Sequence, residues 1–346
     1  MRPSGSAAAL ALGLLALALS LHLAGYDATA ALGSLWQGAF GSWYALTSAT
    51  LVRSVPLIII GLGIALAFRG GALNIGAEGQ FYAGAIAATW VGLHVAGHPA
   101  PVAIASVWAA AVLAGMAWVA VPILLKLRFG VLEVISTLLL NFVAEALVSL
   151  VVQGPLQERQ HIYPQSDSIA PAARLPLLPG SRLHAGFALA LLAALVLWYL
   201  FARTHWGFKL RAVGAGARAA EITGRIDARR ITAVALLGSG GLAGLAGGVE
   251  VSGVSYALFQ NLSPGYGFTA IAVALLARLH PLSVVATGIL FGALEAGAGA
   301  MQRDAGVPAV AVYVVESVVI LVVLLVDVDR REATAGRKAR AMRLPA

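Results

Sequence analysis

The sequence predicts an all-α fold: a polytopic transmembrane helical bundle of about ten spans, with one or more broken or re-entrant helices. Three observations predict it. Of 346 residues, 60% are hydrophobic and only 11% charged, whereas soluble domains carry roughly a quarter charged residues. The mean hydropathy is +0.88. Several apolar runs reach the roughly 20 residues that a helix needs to cross a hydrocarbon core about 30 Å thick.

These runs divide at charges, prolines and glycine clusters, which places spans near 7–24, 50–68, 80–96, 101–125, 131–152, 184–202, 231–251, 266–280, 282–300 and 308–327. The segments 80–96 and 266–280 are short enough to be re-entrant half-helices. The first apolar run follows Met1 and Arg2 and lacks a sharp small-residue cleavage site before Tyr26, so it reads as a retained first helix rather than a signal peptide. Cytoplasmic loops of membrane proteins are enriched in Lys and Arg. With the N-terminus inside, 18 of the 23 basic residues fall on the inner side and Arg53, Arg159, Arg174, Arg182 and Arg303 on the outer. Both termini are therefore expected in the cytoplasm, and residues 1–346 read as a single transmembrane domain. An inner loop at about 203–230 is the most basic internal stretch, an outer loop at about 153–183 is polar and proline-rich, and a basic tail follows at 328–346. Between residues 25 and 49, Trp36, Phe40, Trp43 and Tyr44 suit an amphipathic segment at the outer interface.

Composition also excludes functions. The chain has no cysteine, which removes disulfides, thiolate metal sites and cysteine nucleophiles. The net charge of +8 has no accompanying aromatic-basic motif, so the basic loops are expected to face lipid and not nucleic acid. The seven histidines show no metal spacing, and no metal, cofactor or catalytic residue is assigned. No phosphate loop, serine-elbow or zinc-protease motif occurs, so the chain is neither an ATPase nor a hydrolase.

Two segments stand out. In residues 68–81, four glycines with Asn74, Glu78 and Gln80 interrupt two apolar runs. Glycine disfavours continuous helix, and irregular backbone at membrane depth survives only inside protein or facing water. The segment reads as a broken helix lining a substrate path; an ordinary inner turn before a capped helix is the other reading. Glu78 at membrane depth calls for a partner, and Arg69 is the nearest in sequence. In residues 206–226, positions 217–223 read as a short helix, too short to be stable alone, resting on a cytoplasmic partner or on anionic lipid. Asn141 and Phe142 in the fifth span, and Phe259, Gln260, Asn261, Tyr266 and Phe268 near the outer mouth, are suited to bond and stack a polar aromatic ligand; packing and interfacial anchoring explain them equally. Gly240, Gly244 and Gly248 form a small-residue face for close helix packing, as do Gly288, Gly292, Ala296 and Ala300.

The run GFKLRAVG at 207–214 followed by AAEITGRI at 219–226 resembles the coupling loop of ABC-importer permeases, where the pattern is roughly R-A-V-G-x-N-x-x-A-A-x-x-x-G-I. NIGAEGQ at 74–80 resembles the corresponding motif of the branched-chain amino acid, simple sugar and nucleoside permeases. EVISTLLLN at 133–141 and GYGFTAIAVALL at 265–276 fit that branch in the same order, and the set is most similar to the nucleoside-importer permeases. The resemblance spans roughly residues 50–326. It implies a bacterial plasma-membrane subunit that carries no chemistry of its own. Such a subunit pairs with a second permease, usually a different chain, is energised by a separate ABC ATPase, and receives substrate from an external binding protein. From the residues themselves, a substrate pathway is expected through Asn74, Glu78, Gln80, Phe81, Asn141, Phe142, Gln260, Asn261 and Phe268. By the resemblance, ATPase coupling falls to Arg211, Gly214, Arg218, Ala219, Ala220, Glu221 and Gly224, with Arg211 and Arg218 facing acids of the partner. The alternative is an ion-coupled secondary transporter of a small polar solute, in which Glu78, Glu145, Glu250 or Glu316 titrates; a partner-docking inner loop counts against it.

Overall fold

The computed structural model describes residues 25–224 and 226–308, with positions 15, 18–19 and 21–23 ahead of them. Among the described residues there is no strand, only isolated bridges between Gln165 and Phe259 and between Leu177 and His184. The helices are α1 (Ala28–Phe40), α2 (Trp43–Arg69), α3 (Ala77–His94), α4 (Ala100–Phe129), α5 (Glu133–Val152), α6 (Gly186–Arg203), α7 (His205–Ala215), α8 (Ala217–Gly224), α9 (Ala228–Ser255), α10 (Tyr266–Leu276) and α11 (Pro281–Asp304).

Six of them, α2, α4, α5, α6, α9 and α11, are long and apolar enough to cross a membrane. They coincide with the expected spans at 50–68, 101–125, 131–152, 184–202, 231–251 and 282–300. The other expectations fare differently. Helix α3 stands where 80–96 was expected, but Glu78, Gln80 and its small residues lower its hydropathy below that of a lipid-facing span. The run at 266–280 stops at Leu276, because Arg278 and Leu279 adopt left-handed backbone (φ 52° and 58°). The expected spans 7–24 and 308–327 lie largely outside the described residues, as do the tail and Glu316.

The chain divides into two compact units, Thr47–Gly292 and the pair Met1–Leu46 with Ala293–Ala346. In the larger unit α9 packs along α4, α3 and α2. Leu57, Ile58, Ile59, Ile60, Leu62 and Ile64 of α2 are fully buried, so α2 is an inner helix. Helices α4, α5 and α6 instead expose apolar rows such as Leu113, Leu139 and Leu192, the pattern of helices that are apolar all round and meet lipid or another chain. The predicted glycine face is used. A Cβ on Gly244 would run into the carbonyl of Ala111, and one on Gly84 into the backbone of Gly244, so three helices meet backbone to backbone there. At one end of α4, Gly130 closes the helix in left-handed conformation (φ 70°), and Lys126 reaches over it to Glu133 at 2.7 Å.

In the smaller unit, Leu21, Ala31, Met301 and Val307 form a core with Tyr26, Leu32 and Leu35 around it. Asp27 caps α1, its Oδ1 accepting from the N–H of Thr29 (2.9 Å) and of Ala30 (3.1 Å), which satisfies donors that the first helical turn leaves open. Trp36 and Phe40 lie 5.1 Å apart on its exposed side.

Candidate functional site

The interruption between α2 and α3 is built by side-chain amides. Residues 72–76 have no regular structure, so their backbone groups need other partners. Asn74, fully buried, pairs with Gln80 in both directions (2.8 and 2.9 Å), donates to Ser239 Oγ on α9 (2.9 Å) and accepts from the Gly76 N–H (3.0 Å). Asn141 on α5 accepts from the Gly79 N–H (2.8 Å) and donates to the Ile75 carbonyl (2.9 Å). It thereby caps the start of α3 from a neighbouring helix.

Glu78 is buried, and its Oε2 accepts from the N–H of Gly267 at 2.6 Å in the first turn of α10. Ser263 Oγ accepts from Gly265 and Tyr266 (3.0 and 2.9 Å). Together they satisfy the first donors of α10, where a carboxylate also meets the positive end of the helix dipole. The expected partner Arg69 is not used: its Nε donates to the Leu279 carbonyl (2.8 Å) and its guanidinium lies 5.1 Å from the Phe201 ring centre. Glu78 lies in the first turn of α3, on the other side of the break from Arg69.

Beyond the break a cavity of about 330 Å³ opens between α3, α5 and the segment after α9, lined by Tyr82, Phe142, Glu145, Ser149, Gln260 and Asn261 among others. Ser149 Oγ accepts from the side-chain amides of Gln260 (2.7 Å) and Gln153 (2.8 Å). Of the residues expected to form the pathway, Phe142, Gln260 and Asn261 line this cavity. Asn74, Gln80 and Asn141 are buried in the amide network, and Phe81 is fully buried edge-on against Tyr82 and Tyr266 (5.7 and 5.9 Å). Phe268 is exposed and stands outside the cavity lining.

At the opposite end of the larger unit, α7 and α8 form a two-helix foot. Thr204 caps α7 by accepting from Gly207 (3.1 Å), and Arg211 donates to the Phe201 carbonyl at the end of α6. Gly214 rests against the carbonyl of Arg69, where a Cβ would collide. Helix α8 turns Ala220 inward and exposes Arg218, Ala219, Glu221 and Ile222. Arg225 lies outside the described residues.

A profile of the family described as branched-chain amino acid transport system / permease component matches residues 46–326. The chain belongs to this family of permeases. It is 38% identical over 320 residues to the guanosine ABC transporter permease protein NupP of Bacillus subtilis, covering 91% of each chain. It is 36% identical over 335 residues to a glucose ABC transporter permease protein of Haloferax volcanii, covering 94% of this chain and 86% of that one. A second guanosine ABC transporter permease protein of Bacillus subtilis, NupQ, is 26% identical over 254 residues, 71% of this chain and 79% of that one. Proteins of this family are transport components rather than enzymes.

Within this permease, sequence reasoning passed over Tyr82 and Ser149, whose helical spacing from Glu78 and Glu145 was the available signal. It also passed over Ile222, an apolar side chain 78% exposed on α8. The permease's polar loop 153–183 is laid down by backbone bonds: Ser166 N–H to Leu258 O, Ile169 N–H to Tyr256 O and Leu175 N–H to Ser252 O (all 2.8 Å), and Arg182 N–H to Ser48 Oγ (2.9 Å). Ser48 and Ser252 belong to π-helical turns, Leu46–Thr50 and Val251–Ser255, where widened helix geometry frees groups for such contacts. Beside this loop His184 is buried, its Nδ1 accepting from the Gly186 N–H (3.2 Å). Burial pushes its pKa down from 6.5 to about 4.

Proposed function

We propose that the chain is the permease subunit of an ATP-driven importer of nucleosides or related simple sugars. The observation that carries this reading is the cavity, where one exposed aromatic ring, Phe142, stands beside the amides of Gln260 and Asn261 and the hydroxyl of Ser149. An aromatic face stacks a base or a sugar ring, and a few placed amides and hydroxyls fix its polar edge. The guanosine and glucose permeases that the chain resembles support the same two substrate classes.

In this reading residues 1–346 make one permease domain of about ten spans in a bacterial cell membrane, with both termini cytoplasmic by the distribution of Lys and Arg. The cavity opens outward, toward the loop at 153–183 and an external binding protein. Residues 203–230 face the cytoplasm, where α8 seats in a separate ABC ATPase, and Arg211, Gly214, Arg218, Ala219, Ala220, Glu221 and Gly224 transmit its movement. The amide network of Asn74, Gln80 and Asn141, with Glu78, Phe81 and Phe268, forms the inner wall of the path. The second permease is a different chain; the resemblance to both NupP and NupQ, two permeases of one organism, supports this.

The test is uptake into vesicles carrying the permease, its sister chain and the ATPase, with the external binding protein supplied. Guanosine or glucose uptake that requires ATP is the expected result. Uptake driven by an imposed proton gradient without ATP would replace this reading with the ion-coupled one.

A further inference from the structure

The cavity holds a carboxylate and no basic side chain. Glu145 lies three residues after Phe142 and four before Ser149 on α5, spacings that put all three on one helical face. Its side chain is exposed, yet α5 is an apolar span. Ionisable groups within spans face a water-filled path or the bundle interior, because lipid does not tolerate them. Among the described residues the ion pairs are Lys126 with Glu133 and Arg159 with Asp167; neither reaches Glu145. The rest of the lining offers both donors and acceptors. Ser149 Oγ already accepts two amide N–H groups, which occupies its lone pairs and leaves its O–H to donate. Gln260 spends Nε2 on Ser149, so its Oε1 remains an acceptor toward the cavity.

We propose that Glu145 is the specificity-determining residue that bars anions from the path and admits neutral solutes rich in hydrogen-bond donors. The inference rests on the transport reading given above. The carboxylate accepts from ribose or hexose hydroxyls, or from ring N–H and amino groups, while Phe142 stacks the ring. A solute phosphate or carboxylate placed about 5 Å from Glu145 meets a like charge, which at an effective dielectric near 20 disfavours it on the order of 100-fold.

The decisive measurement is equilibrium binding to the assembled complex of permease, sister chain and ATPase in lipid nanodiscs, with no binding protein present. The probes are guanosine against guanosine 5′-monophosphate, and glucose against glucose 6-phosphate. The wild type is expected to prefer the neutral member on the order of 100-fold. Glu145→Gln narrows that ratio at least about tenfold, and Glu145→Asp restores it. In the wild type the preference also weakens as salt is raised from about 50 to 500 mM, because an electrostatic barrier in a wet cavity is screened. A wild type that prefers the neutral solute equally in Glu145→Gln, or with no salt dependence should that variant not assemble, overturns the role of Glu145 alone. A wild type that binds neither neutral solute overturns this inference; absence of ATP-dependent uptake with the binding protein supplied overturns the transport reading.

Discussion

The Cα of Gly214 lies 3.7 Å from the position that a Cβ on Gly71 would occupy. Gly71 is itself in left-handed backbone (φ 76°), and Leu210 packs beside it over Gly70. The foot formed by α7 and α8 is thus seated on the same turn that leads, three residues later, to the buried Asn74. Only Gly207, Leu210 and Val213 of α7 are buried, so a displacement of α7 toward the bundle bears on that turn through this inner face.

Gly214→Ala tests this seating. The new methyl collides with the Arg69 carbonyl, and overpacking of this kind costs about 1–3 kcal/mol. Thermal melts of the purified complex should shift downward, and ATP hydrolysis should continue while solute uptake per ATP falls. Unchanged uptake per ATP would show that the contact transmits nothing.

Asn141→Ala removes the donor for the Ile75 carbonyl and the acceptor for the Gly79 N–H in one step. Each buried group left unpaired costs about 1–3 kcal/mol. A loss of several kcal/mol in denaturant stability is expected, larger than for Phe142→Ala one residue away, whose ring is exposed. Equal losses for the two variants would remove the capping role from Asn141.

Ile222→Asp places a charge on the exposed tip of α8 without touching the core. Co-purification of the ATPase with the permease should drop at least about tenfold, as expected for a buried apolar anchor at an interface, while the melting temperature of the permease alone stays within a degree or so. Retention of the ATPase at wild-type level would remove α8 from that interface.

His184 gives an acid limb to stability. Its pKa is about 4 in the folded chain against 6.5 ordinarily, so between those values the unfolded chain binds a proton that the folded chain does not. The contribution is complete above pH 6.5 and is lost progressively as pH falls toward 4, amounting to about 3 kcal/mol. His184→Asn keeps an acceptor for the Gly186 N–H and should flatten the melting temperature between pH 6.5 and 4. A wild-type profile already flat over that range would exclude the effect.

Much of this was legible in the sequence, for reasons that differ by element. The six long spans were readable because an apolar run of membrane length has one use. The glycines at 240, 244 and 248 were readable because close backbone approach demands them, and Gly244 meets Gly115, Ala111 and Gly84. Helix α10 was overextended, since nothing in Leu-Ala-Arg-Leu signals the left-handed backbone at Arg278 and Leu279. Arg69 and Glu78 were placed together by sequence proximity, whereas Glu78 meets Gly267, 189 positions away. Asn74, Gln80 and Asn141 were expected to line the path, and all three are buried. What the chain alone did not reveal is that they bond to one another and to backbone, a matter of tertiary geometry.

The ties around Glu78 differ in kind. Asn141 fastens both banks of the break to α5 through two hydrogen bonds, while α10 is joined to the Glu78 carboxylate by the short bond from Gly267. Any motion that keeps the first pair intact carries α3 and α5 as one rigid plank. Parting α10 from that plank breaks several contacts together: the Glu78–Gly267 bond, the edge-on packing of Phe81 on Tyr266 (5.9 Å) and the bond from the Tyr82 hydroxyl to the Ser263 carbonyl (3.5 Å).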